Sequence, residues 1–525
     1  MGASQTTGNG ARAGRREWIG LAVLTLPTLL VSVDVSVLFL ALPHLTADLG
    51  ASSTEQLWIS DIYGFMVAGF LVTMGTLGDR IGRRKLLLIG GSAFACASLL
   101  AAFSTTPEML IVARALLGIS GATLLPSTMA LISSMFRDPK QMGVAIAVWG
   151  TAFMSGVALG PVIGGALLST FWWGAVFLMG VPIMLLLVLS APFLLPESRD
   201  PAGGRIDAGS VALSMVAILL VIYALKEFAK EGLEPLAIAG LLAGAAVGAL
   251  FLRRQRGLAD PLLDLSLFRH RSLTAALILS LFVGALQSGT GLLVALHLQT
   301  VAGFSPLESG LCLVPPALTL MLAINVSPHI ARRVRPAFVL AGGMAIAVAG
   351  QLMIAQVDAT GSVAYLITGV AVSYFGVGPA AALLNHLILD TAPPEKAGSA
   401  SSVSGTAGEF GVAMGIAALG SLGAVVYQGA LTVPEGVPGD IAAAAAENVN
   451  GAVASAGQVP PAVGTELLDS AREAFTSGLN VVAIVSAVLF AALGTLAVAR
   501  LRDVPPTGSE HGEQSDVDSA AVAAH

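Results

Sequence analysis

Four ionisable side chains stand inside long apolar runs of this sequence: Asp34, Asp61, Arg114 and Glu409. Charges in hydrocarbon are expensive, and where a chain keeps them they usually face a substrate, ion or proton pathway. A carboxylate so placed can hold a cation while ionised and release it when protonated, the simplest chemistry for exchanging the two. Asp34 lies nine residues before Pro43, Asp61 four residues after Leu57, and Glu409 about ten residues into its run. All three are candidate substrate or proton sites, although Asp61 is nearest a run's end, where contact with water would also account for it. Arg114 is a candidate for proton relay or coupling. It needs an acidic or carbonyl partner, and bracing helices through hydrogen bonds alone would also explain it.

The elements that must position these residues are membrane helices. Apolar residues make up 55% of the 525 positions and charged residues only 11%, against about half and a quarter in soluble domains. The apolar residues fall in runs long enough for spans of about 20 residues. Fourteen spans can be read, at 18–43, 57–78, 86–104, 109–135, 142–168, 172–196, 208–228, 234–252, 273–299, 307–327, 337–356, 363–389, 400–427 and 478–500. The first is too long to be a signal-peptide core of about 7–15 residues. Segments 1–17 and 503–525 are then polar tails, the second expected to be disordered from its Pro, Gly, Ser and acidic content.

Loops on the cytoplasmic side carry the excess of Lys and Arg. With the N-terminus inside, 22 of the 26 basic residues fall in inside segments, leaving Lys226, Lys230 and Arg472 outside and Arg114 within a span. A miscount in mid-chain would scramble that alternation, so both termini are expected in the cytoplasm. The outside segment 428–477 is Ala-rich and weakly amphipathic around Asp440–Val453 and Thr465–Phe475, and is expected on the outer membrane surface.

The chain also repeats itself. Gly143, Gly150, Thr151, Ala152, Gly156, Val157, Ala158 and Gly160 recur 255 positions later as Gly398, Gly405, Thr406, Ala407, Gly411, Val412, Ala413 and Gly415. A weaker echo, displaced by 252, sets Arg80, Arg83, Gly90 and Gly91 against Arg332, Arg335, Gly342 and Gly343. The repeat divides the spans into six at 18–196, an inserted pair at 208–252 and six at 273–500. Parallel membrane repeats typify secondary transporters, whose site lies between the halves near the midplane. Glu409 falls opposite Met154 in the repeat, so an acid stands on one copy of a shared scaffold where the other is apolar.

No enzyme is indicated, and no catalytic residue is assigned. The sequence has no phosphate-cradling Walker loop, HExxH or GxSxG pattern, and no paired Cys or His for a metal. Cys96 and Cys312 read as inert packing residues, and His297, His329 and His386 carry no ligand spacing. A net charge of −6 suggests no nucleic-acid partner.

Two further patterns carry mechanics. Gly75, Asp79, Arg80, Gly82, Arg83 and Arg84 close the second span with a charged, glycine-containing turn, which can pair with neighbouring helix ends in one state and release them in another. Gly156, Gly160 and Gly164, with Pro161 and Gly165, put small residues on one face of the fifth span, where backbones can approach closely.

The segment Gly75-Thr-Leu-Gly-Asp79-Arg80-Ile-Gly82-Arg83-Arg84 resembles the signature loop of the major facilitator superfamily. Asp34 with Ala41-Leu42-Pro43, Arg114-xxx-Gly118-xx-Gly121-Ala122 and Gly156-xxx-Gly160-Pro161-xx-Gly164-Gly165 resemble motifs of its drug/proton antiporters. With fourteen spans and Trp58-Ile59-x-Asp61-x-Tyr63, the chain is similar over 18–502 to the fourteen-helix quaternary-ammonium exporters. The resemblance implies an all-α integral membrane fold of two six-helix bundles in pseudo-twofold relation plus two inserted helices. It implies proton-driven export of small lipophilic cations without ATP or any cofactor, by a functional monomer in a bacterial cytoplasmic membrane. The helix-5 glycines would form a seam that limits proton leak. The run from Leu311 to Leu322 lacks the acid that members handling bivalent cations can carry, so monovalent substrates are expected. A dedicated exporter of one endogenous metabolite or antibiotic, and a non-transporting membrane sensor or lipid-handling scaffold, are the competing readings.

Overall fold

The computed structural model describes residues 13–199, 207–231, 235–258, 261, 265, 270–391 and 397–506. Of the two tails, 1–12 and 507–525 lie outside the described residues. Helices account for nearly everything described. The first group is α1 (Arg15–Leu49), α2 (Ser53–Ile81), α3 (Arg83–Ala102), α4 (Pro107–Met135), α5 (Pro139–Thr170), α6 (Ala175–Leu178) and α7 (Gly180–Leu194). A pair follows, α8 (Ala208–Glu231) and α9 (Pro235–Gln255). The second group is α10 (Arg271–Leu296), continued by a π turn at His297–Val301, then α11 (Pro306–Cys312), α12 (Val314–Ala331), α13 (Pro336–Ile354), α14 (Val363–Thr391) and α15 (Ala397–Ala430). It ends with α16 (Gly439–Glu447), α17 (Val449–Ala456) and α18 (Pro461–Leu501).

Among the described residues, eleven helices are long and apolar enough to cross a membrane, and α2, bent by 51° between Leu71 and Thr73, makes twelve. The helices α5 and α8 hold shorter strongly apolar stretches, but each is continuous, over 32 and 24 residues. With them, every span read from the sequence has its helix. Only helices can satisfy their backbone polar groups alone in hydrocarbon, which is why so apolar a chain folds this way.

The repeated glycines do the same job twice. A Cβ on Gly156 would overlap Ser32 and Leu29 of α1, and one on Gly160 would overlap Ser36. Their counterparts Gly411 and Gly415 abut Leu281 and Ala285 of α10. Each group thus seats its fifth long helix on its first, backbone close to backbone.

Helix pairings place the start of α1 and the end of α18 on one face of the bundle. The helices α2 and α15 run antiparallel, with Leu57 near Gly420, Gly64 near Ala413 and Leu71 near Gly405. Arg16 of α1 donates to Phe193 O at the end of α7 (2.6 Å), and Arg335 at the start of α13 donates to Arg502 O (3.0 Å). The face where α1 begins is therefore also the face where α18 ends.

The α8–α9 hairpin is self-contained. Gly240 and Gly244 of α9 lie against Ala224, Val221 and Ala217 of α8. At its base, Asp207 accepts two bonds from Arg254, at 2.6 and 2.9 Å. That guanidinium, then the Ser210 hydroxyl, hold Asp207 well below the usual carboxylate range, so the clamp loosens only as strong acid protonates it. The hairpin joins the bundle through α8, where buried Met215 fills the notch at Gly69.

The segment 428–477 packs on the protein. Its second amphipathic stretch is the first part of α18, which at 41 residues is about 60 Å long, twice a hydrocarbon core. Ala445, Val449, Ala452 and Leu467 are buried within the protein. The Tyr427 hydroxyl donates to Ala445 O (2.8 Å), and Ser470 exchanges two bonds with Thr432. Protein thus covers part of these apolar faces. Cys96, in turn, is exposed on α3 rather than packed, and Cys312 is half-buried.

Replacing Gly160 by Val is expected to destabilise the fold by about 1–3 kcal/mol through overpacking, whereas Gly150→Ala, where a Cβ meets nothing within 4 Å, should be neutral. Thermal unfolding of the detergent-solubilised proteins checks both.

Candidate transport site

Arg114 is the largest fully buried side chain, 1% exposed. The close approach of α4 to α2 brings it there. A Cβ on Gly118, one turn after Arg114, would press on Tyr63 O and Met66, and Gly121 lies against the Tyr63 hydroxyl. Three groups meet the guanidinium. Nη1 donates to Asp34 Oδ2 of α1 at 2.7 Å, Nε donates to Ile59 O of α2 at 3.2 Å, and the Tyr63 ring lies 4.6 Å below it. The carboxylate and the carbonyl are the partners that the sequence required, and the ring adds cation–π attraction, which strengthens where water is excluded.

Asp61, fully buried, stands on α2 between Ile59 and Tyr63. It borders a cavity of about 20 Å³ together with Phe39, Tyr63, Arg114, Val412 and Ala413, room for about one water. Water contact at a run's end is therefore not what accounts for Asp61. Val412 and Ala413 belong to α15, so the cavity lies where the two helix groups meet. Glu409 stands on α15 midway between Gly405 and Ala413, both of which approach α2. Its backbone is thus one turn from the cavity wall. Asp34, Asp61 and Arg114 are gathered directly, and Glu409 is brought to the same seam.

The remaining candidates lie elsewhere. Asp79 and Arg83 pair at 2.6 Å across one turn, and Gly82 follows with φ +108°, a conformation that favours glycine. Glu197, beyond α7, clasps that turn. Its carboxylate accepts from Arg84 N (3.0 Å) and would collide with any Cβ on Gly82. Arg84 Nη1 donates to Leu195 O (3.0 Å), Arg83 N to Ser198 O (2.8 Å) and Arg199 Nε to Arg80 O (2.6 Å). Glu197 was not foreseen, and its signal was the acid in Leu195-Pro196-Glu197-Ser198 at a span's end. Gly75 faces open space, so packing does not require glycine there.

The helix-5 residues divide by face. Gly156, Gly160 and Gly164 seat α5 on α1, whereas Gly165 abuts Pro306 and Leu307 of α11, and Pro161 O abuts Gly310. Of these five, Pro161 and Gly165 thus abut the other helix group.

The Major Facilitator Superfamily family profile matches residues 24–416. The chain belongs to that superfamily. It is 43% identical over 489 residues to the multidrug efflux pump LfrA of Mycolicibacterium smegmatis, covering 93% of this chain and 97% of that protein. It is 35% identical to the methyl viologen resistance protein SmvA of Salmonella typhimurium, covering 88% and 93%. It is 33% identical to a probable actinorhodin transporter of Streptomyces coelicolor, covering 78% and 72%. Among solved structures, a bacterial homologue of the human lysosomal transporter Spinster superposes with a TM-score of 0.64 at 15% identity, over 94% of this chain and 99% of that one, a likeness of fold. The protein is a multi-pass membrane transporter of the drug-efflux kind, not an enzyme. The superfamily match takes in the ion pair, the α2–α3 turn, the α5 glycines and Glu409, and stops before α16–α18.

Asp34→Leu leaves Arg114 buried without its carboxylate and is expected to cost about 3–5 kcal/mol. Adding Arg114→Leu should recover part of the stability but none of the transport. A double-mutant cycle on unfolding midpoints, beside efflux assays, measures both.

Proposed function

We propose that the protein is a proton-coupled antiporter exporting lipophilic, mainly monovalent cations such as quaternary ammonium compounds, dyes and cationic antibiotics. The observation that carries this reading is the buried Asp34–Arg114 pair at 2.7 Å, beside Asp61 where α15 meets α2. Asp34 can serve Arg114 or a proton, and not both at full strength. Protonation frees the guanidinium, and loss of the proton restores the pair. Asp61 and Glu409 then hold a lipophilic cation or a proton on the same seam, so that one leaves as the other arrives.

On this reading residues 18–196 and 273–500 rock about the seam, 208–252 is an inserted pair, and the chain works as a monomer with both termini in the cytoplasm. The clasp of the α2–α3 turn by Glu197 is a latch of one state. The Gly165–Leu307 and Pro161–Gly310 contacts hold the halves together at the end opposite the termini. LfrA is named as a multidrug efflux pump and SmvA for resistance to methyl viologen, a dication. Glu308, the acid of α11, caps Ser305 in the first turn, and α12 has none, which supports preference for single charges. A dedicated antibiotic exporter is the second reading, favoured by the actinorhodin relative.

In energised everted vesicles, ethidium should accumulate against its gradient and an uncoupler should abolish this. Asp34→Asn and Glu409→Gln should each cut accumulation about tenfold, the effect of roughly 1.4 kcal/mol, and Asp61→Asn somewhat less. Unchanged uptake in all three, indifferent to uncoupler, overturns proton antiport. Equal resistance to methyl viologen and to tetraphenylphosphonium overturns the monovalent preference. Export confined to a single compound favours the dedicated exporter.

A further inference from the structure

Of the charges of the proposed site, Asp34, Asp61 and Arg114 come from α1, α2 and α4, and Glu409 comes from α15. The α10–α14 side is built differently. On α10, Ser280, Gly284, Gln287 and Gly291 recur at spacings of four, three and four, a single helix face. Gly284 approaches Gly408 O and Val412 of α15. Ser288, next to Gln287, donates to Val412 O at 2.7 Å. Val412 borders the cavity that Asp61 and Arg114 border. The neighbouring Ala413 meets Gly64, less than a turn from Asp61. Gln287 therefore stands at about the depth of Asp61, on the other side of the seam.

Tyr374 of α14 completes this wall. Its hydroxyl lies 3.5 Å from where a Cβ on Gly291, one turn beyond Gln287, would be. Both side chains are half-buried, although α10 packs on α1, α14, α15 and α18, and α14 packs on α10, α12, α13 and α15. Lipid exposure would leave an amide in hydrocarbon, which is costly. A polar pair so surrounded and still partly open borders interior space instead.

An amide offers two donors and an acceptor, and a phenol one donor and an acceptor. Close together on this wall, the two offer both kinds of capacity. We propose that Gln287 and Tyr374 form a neutral hydrogen-bonding subsite on the α10–α14 wall, selecting substrates that carry carbonyl or hydroxyl oxygens on an aromatic frame. The proposal rests on the transport reading above. The carboxylates hold the cationic end of such a molecule, and the subsite holds its oxygenated rings. A cation without hydrogen-bonding groups uses only the first.

Two probes separate these contributions: doxorubicin, an amine cation with quinone and hydroxyl oxygens, and tetraphenylphosphonium, which has none. Efflux of each is measured in cells and vesicles expressing the full chain, the Gln287→Leu variant or the Tyr374→Phe variant, with thermal midpoints of the purified proteins alongside. Doxorubicin efflux should fall about fivefold in each variant, the worth of one lost hydrogen bond, while tetraphenylphosphonium efflux stays within about twofold. Equal loss for both probes with a lowered midpoint means a helix clamp and overturns the subsite, as does no loss for either. If the parent exports tetraphenylphosphonium but not doxorubicin, the subsite fails and the transport reading stands. If it exports neither, the transport reading fails and takes the subsite with it.

Discussion

One guanidinium constrains α1, α2 and α4. In a low-dielectric interior Arg114 must have a carboxylate, a carbonyl and close packing around it. Asp34, Ile59 O and the Tyr63 ring supply these from α1 and α2. Supplying them requires α4 to lie close on α2, which Gly118 and Gly121 permit. It also requires α1 to present Asp34 inward, and α1 is held by the α5 glycines on its other side. The small residues and the charge are thus parts of one arrangement.

The second helix group uses the same close-approach device without a buried ion pair among its described residues. Gly411 and Gly415 dock α15 on α10 as Gly156 and Gly160 dock α5 on α1, yet the wall they build is lined by Gln287 and Tyr374 rather than by an ion pair. A symmetric scaffold thus carries an ion pair on one side and a largely neutral wall on the other.

Away from the seam, protein contacts replace what composition would assign to lipid or water. Glu197 reaches from beyond α7 to clasp Gly82 and Arg84, binding the α2–α3 turn to a segment more than a hundred residues later. The α16–α17 pair and the first turns of α18 bury Ala445, Val449 and Leu467 against one another and the bundle, on an extension no membrane span needs. Amphipathicity says that a face wants cover, and it does not say what provides it.

Much of this was legible in the sequence. Span lengths, the alternation of basic residues and the 255-residue repeat are local or periodic properties, fixed by hydrocarbon thickness and helix geometry. The intramembrane acids and Arg114 announced themselves because unpaired charge is too costly to keep there without a use. Only the tertiary structure decided the pairings, since these depend on rotations and approaches of helices far apart in the chain. Arg114 chose Asp34, Ile59 O and Tyr63 rather than another acid. Asp61 proved to be a buried lining residue rather than a wetted end, and the α5 stripe split between a contact with α1 and one with α11. The neutral wall of Gln287 and Tyr374 had no signal of its own, because an amide and a phenol in apolar runs look like ordinary helix residues until two helices bring them together.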